Sequence, residues 1–270
     1  MEIVKLDGRI LGRILPRKAD SHKGEFGTLT ALCGSETMPG AAYLSALGAL
    51  RSGVGLLQLA VPDGILPILQ AKLAEPVWLS PDDLPDTRET AFLCGPGLGR
   101  ASDDLLARLL PEMDVPAVYD ADCINFLAKH KDVMDRLSHP FILTPHEMEF
   151  SRLTGIPAEE IHKNRAEAAL EYAVKHSCFV VLKGHGTVVA SPEGQIFVNT
   201  TGSSTLAKGG SGDVLAGVIA SLLAQGHDPL SSALLGVYAH GLAGDRLAKV
   251  YGVHGVLPSD LPAEIGRILG

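Results

Sequence analysis

The sequence has few cysteines, and none of them belongs to a motif that binds a metal or carries redox chemistry. The four cysteines are far apart in the chain, and no C-x-x-C pair occurs. Each lies in or beside an apolar run, which is typical of a reduced cysteine in a protein core. The pattern therefore predicts neither a disulfide nor a zinc site. The residues are Cys33, Cys94, Cys123 and Cys178.

Long apolar runs, a leader segment and blocks of like charge are also missing. The longest apolar stretches are much shorter than the roughly 18 residues that a transmembrane helix needs. Charged residues are scattered through the first 25 positions, unlike in a secretory signal peptide. A net charge of −8 without any run of five like charges argues against a nucleic-acid-binding face. We therefore expect a cytoplasmic protein that binds neither membranes nor nucleic acid.

Aromatic residues are scarce, at 5% of the chain, although 46% of the residues are hydrophobic. The core of this 270-residue chain must therefore be mainly aliphatic. Thirty glycines are too many for a helical bundle and suit an α/β protein with many tight turns between strands and helices. No internal repeat and no linker interrupts the sequence, so we expect residues 1–270 to form a single domain.

Apolar runs typical of strands alternate with segments typical of helices. This alternation predicts an α/β fold with a mostly parallel central sheet and helices on both faces. Strands are expected at 26–33, 54–60, 91–94, 116–119, 141–144 and 178–182, followed by a hairpin at 187–190 and 195–198. Helices are expected at 41–51, from Ser102 onwards, and at 164–176, 213–224 and 230–250.

The most informative segment, residues 206–224, is a glycine-rich turn followed by a long apolar helix. An almost wholly apolar helix is buried on most sides, and the glycine turn before it points several free N–H groups into one small space. Such a helix start binds anions such as phosphate. No Gly-Lys-Ser/Thr triplet occurs in the chain, so the turn is not a Walker A loop. The predicted phosphate-binding residues are Lys208, Gly209, Gly210, Ser211 and Gly212.

Asp213 follows this turn and has two interpretations. A carboxylate at a helix N-terminus is stabilised by the helix dipole, so Asp213 can be a simple cap. A cap needs no glycines, however, and three of them precede this residue. Beside a bound phosphate, Asp213 would accept the proton of an attacking hydroxyl as a general base. The whole segment favours the catalytic interpretation.

The segment VLKGHGT, residues 181–187, places polar residues directly after a predicted strand. Ligands of open α/β sheets bind at the carboxyl ends of the strands. Lys183 and Thr187 are therefore candidates for contacts with a nucleotide phosphate or ribose. A plain hairpin turn is an equally compatible interpretation of this motif alone.

The segment LTPHEMEF, residues 143–150, also follows a strand. It predicts a helix with Thr144 as its cap, Pro145 at its first position and Glu147 closing a capping box. That structural role is complete without any function. His146 is nevertheless a candidate for substrate contact, and Glu149 is a candidate to hold water on a magnesium ion.

Two loops between these segments carry weaker signals. CGPGLG, residues 94–99, is a degraded G-x-G-x-x-G, which leaves open a Rossmann-type NAD site with an acidic residue about 20 positions later. YDADCINF, residues 119–126, could orient a phosphate-bound magnesium ion or a substrate hydroxyl, although ordinary helix capping explains it as well. The candidate residues in this second loop are Asp120, Asp122 and Asn125.

Taken together and in order, these segments resemble the ADP- or ATP-dependent NAD(P)H-hydrate dehydratases. The resemblance runs from about residue 24 to 245, and the ordered set carries it rather than any one motif. The family has a ribokinase-like fold, which agrees with the predicted sheet. The matching segments are MPGAAYLSALGALRSGVG, GPGLG, DAD-x-x-N, TPH-x-x-EF, VLKG-x-x-T and AKGGSGDVLAG.

The resemblance implies a reaction and a division of roles. The substrate would be the S form of NADH or NADPH hydrated at C6 of the nicotinamide ring. A phosphoryl group would pass from ADP, which stand-alone bacterial members favour over ATP, to the C6 hydroxyl facing Asp213. Phosphate would then leave, giving AMP and phosphate as by-products. The hydrate site would comprise Ala41, Ala42, Gly97, Gly99 and His146, and the nucleotide site would comprise Lys183, Gly184, His185, Gly186, Thr187 and Gly212.

The resemblance also implies partners and departures from the family pattern. Magnesium would be held through phosphates and water rather than by direct protein ligands, and the chain would form a tetramer. Residues 1–23 are too few for the epimerase domain that is often fused ahead of such enzymes, so a separate epimerase is expected. Residues 202–206 read GSSTL where the family commonly has an asparagine after the glycine, and Glu147 and Met148 replace a common Pro-Gly.

Two alternatives remain compatible with the same residues. A kinase of the same fold that phosphorylates a vitamin precursor or sugar alcohol would use the same glycine turn and aspartate, and would release a stable phosphorylated product. A non-catalytic nucleotide sensor would bind without turnover. Retention of Asp213 argues against the sensor, because binding alone does not require a base.

Overall fold

The computed structural model describes residues 2–85, 88–99 and 102–270. Within these ranges, strands and helices alternate along the chain. The strands are β1 (Ile3–Lys5), β2 (Thr28–Leu32), β3 (Leu56–Ala60), β4 (Val77–Leu79), β5 (Ala91–Cys94), β6 (Ala117–Tyr119), β7 (Phe141–Leu143), β8 (Phe179–Leu182), β9 (Val188–Ala190) and β10 (Ile196–Val198). The α-helices are α1 (Pro39–Arg51), α2 (Leu66–Gln70), α3 (Asp103–Leu109), α4 (Ala121–Lys129), α5 (Lys131–Met134), α6 (Glu147–Thr154), α7 (Ala158–Lys163), α8 (Arg165–Lys175), α9 (Ser211–Ala224), α10 (Pro229–Tyr251) and α11 (Leu261–Leu269).

These strands form one sheet in the order β1-β10-β9-β8-β7-β6-β5-β2-β3-β4. Strand β9 is antiparallel to both of its neighbours, and all the other described pairs are parallel. Strands β3 and β4 are added in turn on one side of β2. Strands β5, β6, β7 and β8 are added in turn on its other side. The loops after the parallel strands therefore meet at one sheet edge, where ligands bind in folds of this type.

Hydrophobic cores lie on both faces of the sheet because successive side chains of a strand point to opposite sides. In β5, Ala91 and Leu93 belong to the core under α1, α9 and α10, whereas Phe92 and Cys94 belong to the core under α3, α4, α6 and α8. Strands buried on both faces read as continuous apolar runs, which is why the sequence exposes them. The predicted α/β fold with a mostly parallel sheet is confirmed.

Most of the predicted elements are present with shifted ends. Strand β5 has the predicted bounds, the hairpin of β9 and β10 is antiparallel as expected, and α9 and α10 begin and end within two residues of the prediction. The four cysteines are free and buried, which confirms their prediction as reduced core residues. The short strands β1 and β4 carry exposed residues and were not predicted, because three residues at a sheet edge show no apolar periodicity.

The predicted capping box at Thr144 is wrong. His146 is the cap of α6: its Nδ1 accepts the amide of Glu149 at 3.3 Å, and Glu149 Oε2 accepts the amide of His146 at 2.8 Å. The helix starts later than expected because the chain stays extended past β7. The amide of Lys183 donates to the carbonyl of Pro145 at 2.8 Å, and His146 forms an isolated parallel bridge with Lys183 beyond the ends of β7 and β8.

No helix in the described ranges combines the length and apolar character required to cross a membrane.

Candidate active site

A cavity of about 690 Å³ opens at the carboxyl ends of β6, β7 and β8, against the N-terminus of α9. Its walls bring together most of the residues that the sequence suggested as ligands of a nucleotide. Loops 183–187 and 202–212 form its sides, and the start of α9 forms its floor. The predicted site residues in its wall are Asp120, His146, Glu149, Lys183, Gly184, His185, Gly186, Thr187, Lys208, Gly209, Gly210, Ser211, Gly212 and Asp213.

The glycine turn before α9 presents unpaired amides. The amide of Ser211 donates to Lys208 and that of Val214 donates to Gly210. In the described part of the chain, those of residues 209, 210, 212 and 213 have no hydrogen-bond partner. Gly210 has φ +98°, and a β-carbon there would collide with Leu44 of α1. The turn is thus an unfilled set of N–H donors at a helix N-terminus, which suits a phosphate group.

Tight packing of α1 on α9 fixes this turn. A β-carbon added at Gly217 would collide with the carbonyl oxygen of Ser45, and one added at Gly48 would lie 2.6 Å from the carbonyl oxygen of Val214. The two helices therefore approach each other backbone to backbone. This contact brings the start of α1 to the same end of the molecule as the start of α9.

Asp213 lies in the first turn of α9, partly buried in the cavity wall. Burial raises the pKa of its carboxyl group to about 6, and the nearby negative charge of Asp120 contributes to the rise, while Lys183 opposes it. A carboxylate with such a pKa is ionised at neutral pH and still holds a proton well, which suits a general base. The geometry is thus compatible with the catalytic interpretation of this residue.

A charged cluster lies beside Asp213. Lys183 Nζ donates to Asp120 Oδ1 at 2.6 Å and lies 3.9 Å from Glu149 Oε2. Burial disfavours the ammonium, but the two carboxylates more than offset this, so the pKa of Lys183 is raised. A β-carbon at Gly212 would be 3.4 Å from Lys183 Nζ, so this cation is held at the glycine turn. It can contribute positive charge to a phosphate bound there.

His146 and Glu149 form the other end of this cluster. His146 Nε2 lies 3.3 Å from Glu149 Oε1, and burial together with the charge of Lys183 lowers the pKa of His146. Burial raises the pKa of Glu149. His146 is half exposed to the cavity, so it combines the capping role with a surface that can contact a ligand.

In the turn at residues 184–187, the carbonyl oxygens and the amides differ in their hydrogen bonding. Its four carbonyl oxygens all accept hydrogen bonds: from Thr187 Oγ1, from Arg165 twice and from the amide of Asn199. Among the described residues, no acceptor is bound to the amides of residues 184–187. The turn therefore offers the cavity mainly donors.

Lys208 lies in the cavity wall, and its ammonium is bound by carbonyl oxygens of the protein. Its Nζ donates to the carbonyl oxygen of His254 at 2.7 Å and also to that of Val256. The ammonium thus ties the segment after α10 to the glycine turn. Its role as a phosphate ligand stays a prediction.

The residues suggested for the hydrate site fall into two groups in the described structure. Ala41, Gly97 and Gly99 lie together at the loops after β2 and β5, where an added β-carbon at Gly97 would be 2.5 Å from Ala41 Cβ. Ala42 is fully buried, so its side chain packs in the core. Only His146 of this set lines the main cavity, as far as the described residues show.

Asp122 and Asn125 are hydrogen-bonded to other parts of the protein. Asp122 supports the loop after β5, and Asn125 binds Arg152 of α6. Asp122 Oδ2 accepts the amide of Gly99 at 2.8 Å, and Asn125 Oδ1 accepts Arg152 Nη1 at 2.9 Å. Neither residue lines the main cavity among the described residues. Their polar atoms are engaged in contacts with the protein, but neither side chain caps α4, whose N-cap is Asp120 without a side-chain cap hydrogen bond.

Two residues missed by the sequence analysis hold the backbone of the cavity walls: His240, which itself lines the cavity, and Arg165. Buried His240 of α10 places Nε2 3.0 Å from the carbonyl oxygen of Ser211, and burial lowers the pKa of this histidine to about 4. Arg165 binds the 184–187 turn. Both act through backbone carbonyls that are distant in sequence, so no local motif announces them. Residues 203 and 204, where the expected asparagine is missing, line the cavity as serines.

No group of three or more histidine, cysteine, aspartate or glutamate side chains in the described ranges is arranged to hold a metal ion.

Comparison with known proteins relates this chain to one family by both its sequence and its fold. A family model described as NAD(P)H-hydrate dehydratase matches residues 29–267. The ADP-dependent (S)-NAD(P)H-hydrate dehydratase of Bacillus subtilis is 38% identical over 262 residues, covering 93% of this chain and 92% of the relative. The bifunctional NAD(P)H-hydrate repair enzyme Nnr of Moorella thermoacetica is 41% identical over 268 residues, covering 92% of this chain. The chain spans about half the length, 50%, of that relative.

Solved structures show the same similarity. The ADP/ATP-dependent NAD(P)H-hydrate dehydratase of B. subtilis, co-crystallised with ATP and Mg²⁺, has a TM-score of 0.90 at 34% identity and covers 99% of this chain and 98% of its own. A ribokinase of Thermotoga maritima has a TM-score of 0.54 at 13% identity, covering 90% of this chain and 99% of its own. This second likeness concerns the fold alone, and the fold is ribokinase-like.

Proposed function

The chain belongs to the NAD(P)H-hydrate dehydratase family, and we propose that it dehydrates the S form of NADH hydrate or NADPH hydrate at the expense of ADP. The observation that carries this proposal is the juxtaposition of the unpaired amides of residues 209, 210, 212 and 213 with the carboxylate of Asp213 in one cavity of the described structure. Amides bind the phosphoryl group that is transferred, and the carboxylate takes the proton of the acceptor hydroxyl.

The proposed reaction proceeds in two steps. The C6 hydroxyl oxygen attacks the terminal phosphorus of ADP while Asp213 accepts its proton, and AMP leaves. The C6–O bond then breaks with loss of phosphate, and a proton leaves C5, which restores the C5–C6 double bond of the dihydronicotinamide. Phosphorylation is useful because phosphate is a far better leaving group than hydroxide. The neutral-pH ionisation of Asp213 matches its role as base.

We assign the nucleotide to the two donor turns, residues 184–187 and 209–212. Lys183 supplies positive charge beside the glycine turn, where Asp120 orients it at 2.6 Å. His146, which lines the cavity beside Glu149, would contact the substrate. The loops that carry Ala41, Gly97 and Gly99 would contact the remainder of the hydrate, while Ala42 supports them from the core.

The site fits magnesium bound through ligands that the protein does not supply alone. Glu149 is a carboxylate in the cavity wall, which suits contact with a metal-bound water, and Mg²⁺ prefers oxygen ligands and retains several waters. When bound, the ion would neutralise negative charge on the phosphates. Glu149 and Asp120 would keep their places through His146 and Lys183.

The wider setting belongs to the same proposal. The chain would work as one domain in the cytoplasm, as a tetramer, with an epimerase activity supplying the S form. The bifunctional repair enzymes among its relatives support the link to an epimerase.

A direct assay tests the proposal. The purified chain is mixed with (S)-NADH hydrate, Mg²⁺ and either ADP or ATP, and absorbance at 340 nm is followed while AMP and phosphate are measured. We expect absorbance to return in step with phosphate release, with ADP as an effective donor. Accumulation of a stable phosphorylated product without absorbance would identify a kinase instead.

The variant Asp213→Ala tests the base. We expect it to retain ADP binding and to lose turnover by roughly two to four decades. Asp104→Ala is the matched control, because Asp104 is an exposed carboxylate in the first turn of another helix, α3. Equal turnover in Asp213→Ala and Asp104→Ala would remove Asp213 from the mechanism.

A further inference from the structure

Arg165 lies behind the 184–187 turn, on the side away from the cavity, and its guanidinium grips the backbone there. Nη1 donates to the carbonyl oxygen of His185 at 2.6 Å and to that of Gly186 at 3.2 Å. Nη2 donates to the carbonyl oxygen of Leu182 at 2.8 Å. One side chain therefore binds the end of β8 and two residues of the turn that follows it.

The placement of Arg165 is unfavourable for its own helix. It is the first residue of α8, where the helix dipole disfavours a positive charge. Its side chain is only 13% exposed, so solvent compensates little of this charge. Glu147 Oε1 lies 3.3 Å from Nε and provides the compensating ion pair. An arginine in this position is explained by what it binds rather than by helix formation.

The contacts of Arg165 determine which backbone groups of the turn face the cavity. In a trans peptide the carbonyl of one residue and the amide of the next point in opposite directions. Because the carbonyls of His185 and Gly186 point to Arg165, the amides of Gly186 and Thr187 point the other way. Those amides have no partner in the described chain, and the turn lines the cavity whereas Arg165 does not.

Gly184 shows that the turn and the arginine fit each other closely. A β-carbon at Gly184 would lie 2.7 Å from Arg165 Nη2, and this glycine has φ +152°. A larger residue would displace the guanidinium from the carbonyls. The close approach of the side chain to the turn is therefore part of the arrangement.

We propose that Arg165 is a positioning residue of the nucleotide site, which holds the 184–187 turn with its amides directed at the phosphates or ribose of the bound nucleotide. This inference rests on the proposed assignment of the nucleotide to that turn. Arg165 touches no ligand itself and acts through three carbonyls. A lysine cannot replace it fully, because one ammonium lacks the planar fork that reaches both ends of the turn.

Three variants test this proposal. Arg165→Met removes the donors, and Arg165→Lys keeps the charge without the fork. Arg136→Met is the matched control, because Arg136 is 56% exposed and pairs with Asp132 on the surface. ADP affinity is measured by calorimetry without the hydrate, and the KM for ADP, the KM for the hydrate and kcat are measured separately.

We expect Arg165→Met to weaken ADP binding by about tenfold to a hundredfold, as misplacement of a binding group does. The KM for ADP should rise in parallel, while the KM for the hydrate stays within about twofold of the wild-type value. Arg165→Lys should lie between these values, and Arg136→Met should match the wild type. The conservative variant remains informative if Arg165→Met does not fold.

Unchanged ADP affinity in a folded Arg165→Met or in Arg165→Lys would overturn the proposal. So would equal loss of affinity for ADP and for the hydrate, since that indicates a general structural defect. Failure of the proposed function is distinguishable: the wild type would then bind ADP without restoring absorbance at 340 nm. The dependence of ADP binding on Arg165 can still be read in that case.

Discussion

At the scale of single residues, the environment of Asp213 sets both its chemistry and its pH range. Burial raises the pKa of this carboxyl to about 6, so the group is ionised at neutral pH and largely protonated at pH 5. A base works only in its ionised form. The proposed base is thus distinguished from the surface carboxylates of the chain by its surroundings rather than by its type.

Turnover should therefore rise with pH between 5 and 8, because the ionised carboxyl is the active form and its pKa is raised to about 6 in the ligand-free protein. The measurement is kcat at saturating ADP and hydrate between pH 5 and 8. Because the terminal phosphate of ADP titrates in the same range, ADP affinity must be followed over the same pH values. A kcat that stays constant from pH 5 to 8 would contradict the role of Asp213 as base.

Residues of the site differ in how far the sequence reveals them. Asp213 and residues 209–212 stand in one local segment whose helix start and glycines are visible without a structure. Arg165 and His240 bind carbonyls that are 17 or more positions away in the sequence. Since a carbonyl leaves no trace in the residue type, such contacts cannot be predicted from a single sequence.

At the scale of secondary-structure elements, the contact between α1 and α9 holds the glycine turn and Asp213 in place. The two helices touch through Gly48 and Gly217, where the added β-carbons would meet the backbone of the facing helix. The glycine turn, Asp213 and the start of α1 all depend on this approach. Packing of the elements thus fixes the spacing between the loops after β2 and the floor of the cavity.

The variant Gly217→Ala should destabilise the fold by about 1–3 kcal/mol, as overpacking of a close contact does. It should also reduce turnover, because α9 carries Asp213 and must move to relieve the clash. Gly12→Ala is the control, since an added β-carbon there meets nothing within 4 Å. Thermal unfolding measures the change in stability, and the 340 nm assay measures the change in turnover. Equal stability of the two variants would contradict the prediction, because it would show that the helices can move apart without loss of folding free energy.

Elements were predictable where apolar periodicity was strong. Strand β5 and helices α9 and α10 are buried along most of their length, and their runs mark their bounds closely. The start of α6 was not predictable, because the chain remains extended to pair Pro145 with Lys183 across neighbouring strands. Strand pairing of this kind depends on tertiary structure and overrides a local capping signal.

At the scale of the whole molecule, the ligand and the fold are coupled by mass action. A nucleotide that binds the folded state alone stabilises it, by about 2.7 kcal/mol at a hundredfold excess over Kd. The cavity joins elements from β6 to α10, so binding should stabilise the molecule as a unit.

ADP with Mg²⁺ should therefore raise Tm, whereas adenosine should raise it much less, because the unpaired amides need a phosphate. Differential scanning fluorimetry with each compound at the same concentration gives the comparison. An equal shift for adenosine would indicate that the base and ribose alone account for binding, and would contradict the assignment of the 209–212 turn to phosphate.

The proposed site would hold a polyanion mainly with uncharged N–H groups, beside a Lys183 ammonium that is paired with Asp120 and lies near Glu149, on a chain whose own net charge is −8. At long range its field repels ADP, and at contact the N–H groups of two turns attract it. Dissolved salt screens the first interaction over a Debye length of about 8–10 Å and affects the second much less. Ionic strength should thus have little adverse effect on this site, unlike at phosphate sites built from many exposed lysines.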